Sequence, residues 1–370
     1  MSFAFASIVA AFGAHCSGRI QLLHKMKLQA ATENRKWVTE GTATDQHGQG
    51  YKVQLVAGPV GRIPTTSGTQ CLVRTLYIST DPYLSRWASQ REEGTTMRGN
   101  LIGEVLQSGA GCTYAPGSFV LFNSEYAQYN AVASESLVLL PHARRDILPS
   151  YVGALGMPGL TAYIGIFKIG HPKRGEVAYV SAAAGAVGSV AVEIFKSMGL
   201  TVIASAGSDE EVEYLKSVLG ADASFNYHDG PIGSLLSKAM ANVGKTELDI
   251  YFEMVGGETI EAALDHMANR GRVIYCGAIS QYRLTREEAY GVRNLEHILW
   301  KRLTIQGYIY DDWGEESLEE ARAQLTKWYD SGKLSGHVTV VDGWDSVPVT
   351  FLSMYDSGGH TGKMVIKVTE

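Results

Sequence analysis

Cysteine is scarce: the 370 residues hold four, Cys16, Cys71, Cys112 and Cys276, far apart and with no CxxC pair. Such spacing supplies no recognisable zinc ligand set, and a chain this long with so few thiols is a poor disulfide framework. The expectation is four reduced thiols and no metal. Long apolar runs are lacking as well. The one candidate, Ser2 to Ala14, is ended by His15, Ser17, Gly18 and Arg19, short of a membrane span. A basic excess is absent: 32 Lys and Arg face 38 Asp and Glu, a net charge of −6, which speaks against nucleic acid or an anionic membrane as partner. Acidic residues are missing from Met1 to Thr32, where Arg19, Lys25 and Lys27 stand among apolar and small residues. That composition is compatible with a mitochondrial transit segment. A secretory signal fits less well, because nothing basic precedes the apolar stretch, and a start at Met26 is the third reading. The expected compartment is the cytoplasm, or the mitochondrion if the leader is a transit segment.

What is present is a globular enzyme's composition, 45% hydrophobic and 19% charged, with 41 dispersed glycines. The length makes two domains the expectation. Short apolar alternations at Lys52–Ala57, Leu72–Ile78, Leu101–Gln107 and Ser118–Phe122, separated by Gly, Pro and Ser turns, predict a small barrel or sandwich. From Val152 the rhythm changes. Predicted strands at Val177–Val180, Leu200–Ala204, Ile250–Glu253, Val273–Cys276 and Thr304–Tyr308 alternate with helical stretches at Ser189–Met198, Asp209–Leu219, Glu258–Met267 and Asn294–Lys301, the pattern of a doubly wound parallel sheet. Ser317–Asp330 reads as an amphipathic helix, and Met364–Val368 as a closing strand that returns to the first domain. The most telling stretch is Tyr179–Gly188, YVSAAAGAVG. Gly185 and Gly188 permit a tight turn from strand to helix, and a helix starting there aims unpaired N–H groups at an anion such as a pyrophosphate. Tight helix–sheet packing selects the same glycines.

Five stretches, LGMPGLTAY (Leu155–Tyr163), Tyr179–Gly188, FNY (Phe225–Tyr227), DIYFEMVGG (Asp249–Gly257) and CGAISQY (Cys276–Tyr282), together resemble the medium-chain dehydrogenase/reductase superfamily, and within it the zinc-free prostaglandin and alkenal reductases. DPYLSR (Asp81–Arg86) looks like that branch's DPYMRxR element. The resemblance implies an α/β fold, a GroES-like β-barrel domain with a Rossmann domain, and a homodimer joined through the Rossmann sheets. The boundaries expected are an N-terminal extension 1–33, a GroES-like part 34–151, a Rossmann domain 152–312 and a GroES-like return 313–370. The cofactor residues it implies are Met157, Pro158, Thr161, Gly185, Ala186, Val187, Gly188, Ser208, Tyr227, Val255, Gly277, Ile279, Ser280 and His360. Met157 and Pro158 could equally be hinge packing. Tyr282 is the first catalytic candidate: it could donate to an enolate, position the nicotinamide ribose, or cap a turn. Tyr83 is the second, with packing on the barrel rim as its alternative.

The family's zinc-bearing members use a Gly-His-Glu element, and here Leu101-Ile102-Gly103-Glu104 has no histidine. Hydride addition to a simple carbonyl leaves an alkoxide that needs strong electrophilic help. Addition to the β-carbon of an enone or enal leaves a delocalised enolate that hydrogen-bond donors can stabilise. The expected activity is therefore NAD(P)H-dependent C=C reduction of small hydrophobic enones or enals. A quinone reductase, or a non-catalytic relative that binds NADPH, is the alternative. NADP(H) is favoured because Ala206 stands where NAD-specific sites carry an acid, and NAD(H) stays possible because Glu211 replaces the family's phosphate-binding lysine. Two further departures are Met254, in place of the branch's asparagine, and His360, which also stands where an asparagine is usual.

Overall fold

A computed structural model describes residues 33–40, 54–58, 61–62, 64–140, 145–355 and 360–368. The leader and Cys16 lie outside the described residues. Strands β1 (Trp37–Glu40) and β2 (Gln54–Ala57) pair antiparallel at the start. β3 (Gln70–Ser79) leads into a short helix α1 (Leu84–Ser89), then β4 (Arg98–Ser108), β5 (Phe119–Glu125), β6 (Tyr129–Ala133) and β7 (Leu137–Leu139). The chain crosses through α2 (Met157–Ile164), which runs on into a π-helical turn, to an alternating series. That series is β8 (Val177–Val180), α3 (Ala186–Ser197), β9 (Thr201–Ala206), α4 (Asp209–Ser217), β10 (Ala223–Asn226), α5 (Ile232–Asn242) and β11 (Leu248–Glu253). It continues with α6 (Gly257–His266), β12 (Met267–Tyr275), α7 (Glu296–Trp300), β13 (Thr304–Gly307) and α8 (Gly314–Asp330). β14 (Val338–Asp342), α9 (Val347–Ser353) and β15 (Lys363–Lys367) close it.

Two large sheets result. The first runs β14-β15-β3-β4-β5-β7, with β6 also paired to β3, so it takes strands from both ends of the chain. β15 returns antiparallel onto β3, Val365 opposite Ser79, as the closing strand was expected to do. The second runs β10-β9-β8-β11-β12-β13 with every pair parallel. Neighbours β9 and β11 flank β8, so the strand order reverses at β8 and opens a crevice beyond the strand ends.

Burial on both faces explains why these strands are unbroken apolar runs rather than alternations. β8 is VAYV with all four residues buried. Its tyrosine is tolerated because Tyr179 stacks on Tyr251 at 4.9 Å, and its hydroxyl shares a 2.8 Å hydrogen bond with Ser205 Oγ. Helices α2, α3 and α8 cover one face around Phe195 and Phe252, while α5 and α6 cover the other around Tyr251 and Leu264. Leu318, Ala321 and Leu325 of α8 pack into the first of these clusters. The helix therefore packs against the parallel sheet.

The cysteine expectation is corrected. Cys71 and Cys112 form a disulfide, with Cα atoms 5.9 Å apart across 41 residues of sequence. Sequence separation hid it: Cys71 opens β3 and Cys112 sits in the β4–β5 connection, neighbours only once β3 and β4 have paired. Cys276 is free, and burial pushes its thiol up to about 12, so it stays protonated.

Candidate active site

Four loops meet along the crevice at the carboxyl ends of the parallel strands. After β8, Ala182 adopts φ +46°, unusual for a residue with a Cβ, and Gly185 N–H donates to Ala182 O at 3.1 Å. Ser189 N–H takes Gly185 O at 2.9 Å. Ala186, Val187 and Gly188 thus form the first turn of α3, whose N–H groups have no α-helical acceptor. A Cβ on Gly188 would stand 2.5 Å from Ala182 O and 2.7 Å from Ala183 Cα. The packing reading accounts for Gly188, and the helix start it permits leaves first-turn N–H groups without an intrahelical acceptor.

After β9, Ser208 caps α4 by accepting Glu211 N–H at 3.2 Å, while Glu211 Oε2 accepts Gly207 N–H at 2.9 Å. This is a capping-box arrangement. It gives Glu211 a local reason to exist: the carboxylate is only 8% exposed and is bonded back onto its own turn. Burial pushes its pKa up, against the two backbone donors at Gly207 and Ser208. Tyr227 follows β10, with its ring 4.3 Å from that of His228.

After β11 and β12 the chain knots. Glu253 is fully buried, and its Oε1 accepts the N–H groups of Val255 and Gly256, the latter at 2.9 Å. Among the described residues Oε2 has no hydrogen-bond partner, and burial drives the carboxyl pKa upward against those donors and the Tyr251 and Ser181 hydroxyls. Gly277 N–H reaches Glu253 O at 3.2 Å, and Ile279 N–H reaches Met254 O at 2.9 Å. Ser280 donates to Val255 O through both its N–H (3.1 Å) and its Oγ (2.6 Å). Val255, Gly277, Ile279 and Ser280 are thus brought together. Met157 and Pro158 open α2, where Thr161 Oγ1 donates to Met157 O at 2.8 Å and is engaged by its own helix. His360 lies beside the glycine turn, and burial, then the Lys363 ammonium, lowers its imidazole pKa.

The opposite wall is made of side chains. Tyr83 is the N-cap of α1 and 43% exposed; protein packed about its phenol, then the charges of Asp81 and Tyr310, push its pKa up. Tyr282 accepts the Ala278 N–H at 3.2 Å, so in this state its hydroxyl caps the loop after β12, with its own proton still to give. Burial raises its pKa; the Ala278 donor and nearby Arg86 pull it back. Tyr355, beside Tyr282, donates to Pro82 O and contacts Ser85 Oγ, and Arg283 lies over its ring at 5.1 Å. Sequence reasoning missed Tyr355 and Arg283 altogether. Arg86 stood in view within DPYLSR without being given a role.

A zinc set does not assemble from these residues. Among the described residues no group of three or more His, Cys, Asp or Glu side chains could hold a metal. Glu104 is instead paired with Arg74 at 2.8 Å, and Cys71 and Cys112 are joined to each other. A dinucleotide fits far better: a turn of small residues, outward N–H groups on α3, and no carboxylate at Ala206.

Comparison with known proteins follows the same lines. A family model described as zinc-binding dehydrogenase matches residues 186–327, and one described as N-terminal domain of oxidoreductase matches residues 54–140. Prostaglandin reductase 1 of Rattus norvegicus is 34% identical over 342 residues, 92% of this chain and 99% of its own. The chain belongs to the medium-chain dehydrogenase/reductase superfamily. Its place there is with the prostaglandin reductases, and its two sheets are the GroES-like and Rossmann folds of that family. An NADP-dependent oxidoreductase, RED1 of Cochliobolus heterostrophus, is 35% identical over 81% of this chain and 87% of its own. Among solved structures, CurA from Vibrio vulnificus in complex with NADPH superposes with a TM-score of 0.80 at 28% identity, covering 91% of this chain and 99% of that one. The family makes the protein an oxidoreductase, the coarse part of the expected activity.

Proposed function

We propose that the protein reduces the C=C bond of α,β-unsaturated ketones and aldehydes with NADP(H). The observation that carries this reading is the makeup of the substrate wall: the phenols of Tyr83, Tyr282 and Tyr355 and the guanidinium of Arg86, with no metal donor set among the described residues. Such donors suit a delocalised enolate better than a localised alkoxide. When bound, NADPH supplies the hydride. The chain's residues then do three things. The α3 N-terminus and the small-residue turn would hold the pyrophosphate. The Val255–Ser280 loops would orient the nicotinamide end. Tyr282 rotates its proton toward the substrate oxygen while Ala278 N–H stabilises the phenol oxygen, and Arg86 adds positive charge to that face. The α-carbon proton then comes from solvent or from a phenol of the same wall.

Support for the coenzyme comes from the relatives named NADP-dependent, the NADPH complex of CurA, and the strand end at Ala206, which carries no carboxylate. The test is NADPH consumption with trans-2-nonenal and with a naphthoquinone, each product identified as reduced at C=C, at C=O or at the quinone. Saturated aldehyde as the main product supports the reading. The allylic alcohol 2-nonen-1-ol, or turnover confined to the quinone, refutes it. Activity should survive a chelator.

The protein is further proposed to act as a homodimer joined through β13. That strand is one edge of the parallel sheet, β10 being the other, and Leu295, Leu299, Trp300 and Ile309 near it in the chain are more than half exposed. Light scattering should give twice the chain mass, and Trp300→Glu should lower it.

A further inference from the structure

Four consecutive residues, His360 to Lys363, touch both walls of the crevice. Gly362 N–H donates to Ala184 O at 2.7 Å, and Gly362 pairs as a parallel bridge with Gly185 inside the small-residue turn. Gly362 has φ +68°, and a Cβ there would fall 2.2 Å from His337 O, so the close approach needs glycine. The next residue reaches the other way. Lys363 Nζ donates to Thr80 O and, at 2.8 Å, to Asp81 Oδ1, with the side chains 3% and 5% exposed. Asp81 Oδ2 accepts Ser79 Oγ at 2.6 Å, and Thr80 Oγ1 donates to Met364 O at 3.1 Å. Asp81 O in turn accepts Leu84 N–H at 3.1 Å, starting the turn from which Tyr83 and Arg86 project.

We propose that Lys363 is a positioning residue: its buried ion pair with Asp81 sets the separation between the Tyr83–Arg86 turn and the glycine turn of the cofactor site. Burying an ammonium and a carboxylate together is a poor way to gain stability, since well-packed apolar residues commonly do as well. What the pair does supply is a fixed direction, because the ammonium is also held by Thr80 O and the second carboxylate oxygen by Ser79 Oγ. Through one residue step the strap ties a cofactor-side carbonyl to a substrate-side carboxylate. A reaction that passes hydride from one wall to a substrate held by the other is sensitive to that separation, and misplacement by about 1 Å costs on the order of 100-fold.

The inference rests on the proposed reductase reading, and the test separates the two. The double variant Lys363→Met/Asp81→Asn removes both charges without leaving one buried alone. Expected are NADPH affinity by fluorescence titration within about threefold of wild type, kcat for an enone lower by about 10- to 100-fold, and little further loss when Tyr83→Phe is added. Unchanged kcat, equal losses in NADPH affinity and kcat, or full additivity with Tyr83→Phe would each overturn the positioning role. If the double variant does not fold, Asp81→Asn alone, which keeps an acceptor for the ammonium, should show the same split at smaller size, and its absence overturns the proposal. A wild type that neither binds NADPH nor reduces any enone refutes the reductase reading instead.

Discussion

The two walls of the crevice are built on opposite principles. The proposed cofactor wall is main chain: Ala182 to Gly188, Gly207 to Ser208 and Val255 to Ser280 present N–H and C=O groups whose directions are fixed by hydrogen bonds, within one turn at the first two and across 25 residues between Val255 and Ser280. The substrate wall is side chain: Tyr83, Arg86, Tyr282, Arg283 and Tyr355 come from three segments up to 270 residues apart, and only tertiary contacts such as Ser85 with Tyr355 join them. Main-chain sites tolerate many side chains so long as the backbone path is kept. Side-chain sites tolerate backbone drift poorly, because each functional atom hangs from a different segment. Coenzyme use is therefore expected to be robust in this protein and substrate choice easily altered.

The sharpest way to break the cofactor wall is Gly188→Val. A Cβ already meets Ala182 O and Ala183 Cα well inside van der Waals distance, and both are backbone with nowhere to go. The first turn of α3 must lift off β8. NADPH affinity is expected to fall by more than about 100-fold, a loss of roughly 3 kcal/mol. Isothermal titration measures it, and retention of wild-type affinity would mean that the pyrophosphate is held elsewhere.

Tyr282→Phe probes the other wall. Removing one transition-state hydrogen bond is expected to lower kcat/KM for an enone by about 10- to 1000-fold, with NADPH affinity nearly unchanged. The structure sharpens the alternative. Because the hydroxyl accepts Ala278 N–H, a purely capping role predicts a lower melting temperature with full turnover. Stopped-flow hydride transfer beside a thermal melt separates the two.

This division also decides what sequence alone could show. The parallel sheet was legible because its strands are buried on both faces and its helices keep a 3.6-residue period, so β8 was placed to the residue. The strand-to-helix glycine turn was legible because Gly185 and Gly188 stand directly between a buried apolar strand and a helical run. Tyr355 was not: nothing local marks it, and its role depends on α9 delivering it beside Ser85. The Cys71–Cys112 pairing stayed hidden for the same reason, since strand register sets it. Glu211 illustrates a third case. The SDEE spacing of its capping box was in plain view, yet comparison with a family lysine drew attention to its charge rather than to its hydrogen bonds.

Glu253 belongs to the proposed cofactor wall yet is a fully buried carboxyl, and pH tests whether that wall is as indifferent to side chains as it looks. Burial raises its folded pKa above the ordinary value of 4.5. A carboxyl so shifted contributes most below its unfolded pKa, where both states are protonated, and that contribution is lost as pH rises through the folded pKa. Glutamine mimics the neutral form at every pH. The melting temperature of Glu253→Gln relative to wild type should therefore become more favourable on going from about pH 4 to about pH 8, by a few degrees. A difference that is flat with pH would mean that Oε1's backbone donors keep the group ionised throughout.

The smallest expected effect is at Glu211. Were its carboxylate facing a 2′-phosphate, a unit-charge pair ~5 Å apart at an effective dielectric near 20 would be worth roughly 3 kcal/mol before screening, and Glu211→Lys should then raise NADPH preference by about tenfold or more. The structure turns the carboxylate to Gly207 N–H instead, so much of its charge is already answered by the helix end it caps. Glu211→Gln is the cleaner change, because the amide oxygen still accepts from Gly207 while the charge is gone. NADPH over NADH preference should rise by only about two- to fivefold, which is under ~1 kcal/mol, and the melting temperature should fall slightly as a charged cap becomes a neutral one. Paired fluorescence titrations with the two coenzymes measure the ratio. A rise above tenfold would show that the carboxylate leaves its cap to meet the phosphate. No rise at all would place the phosphate on the far side of Ser208, toward Tyr227, where main-chain and hydroxyl donors alone must hold it.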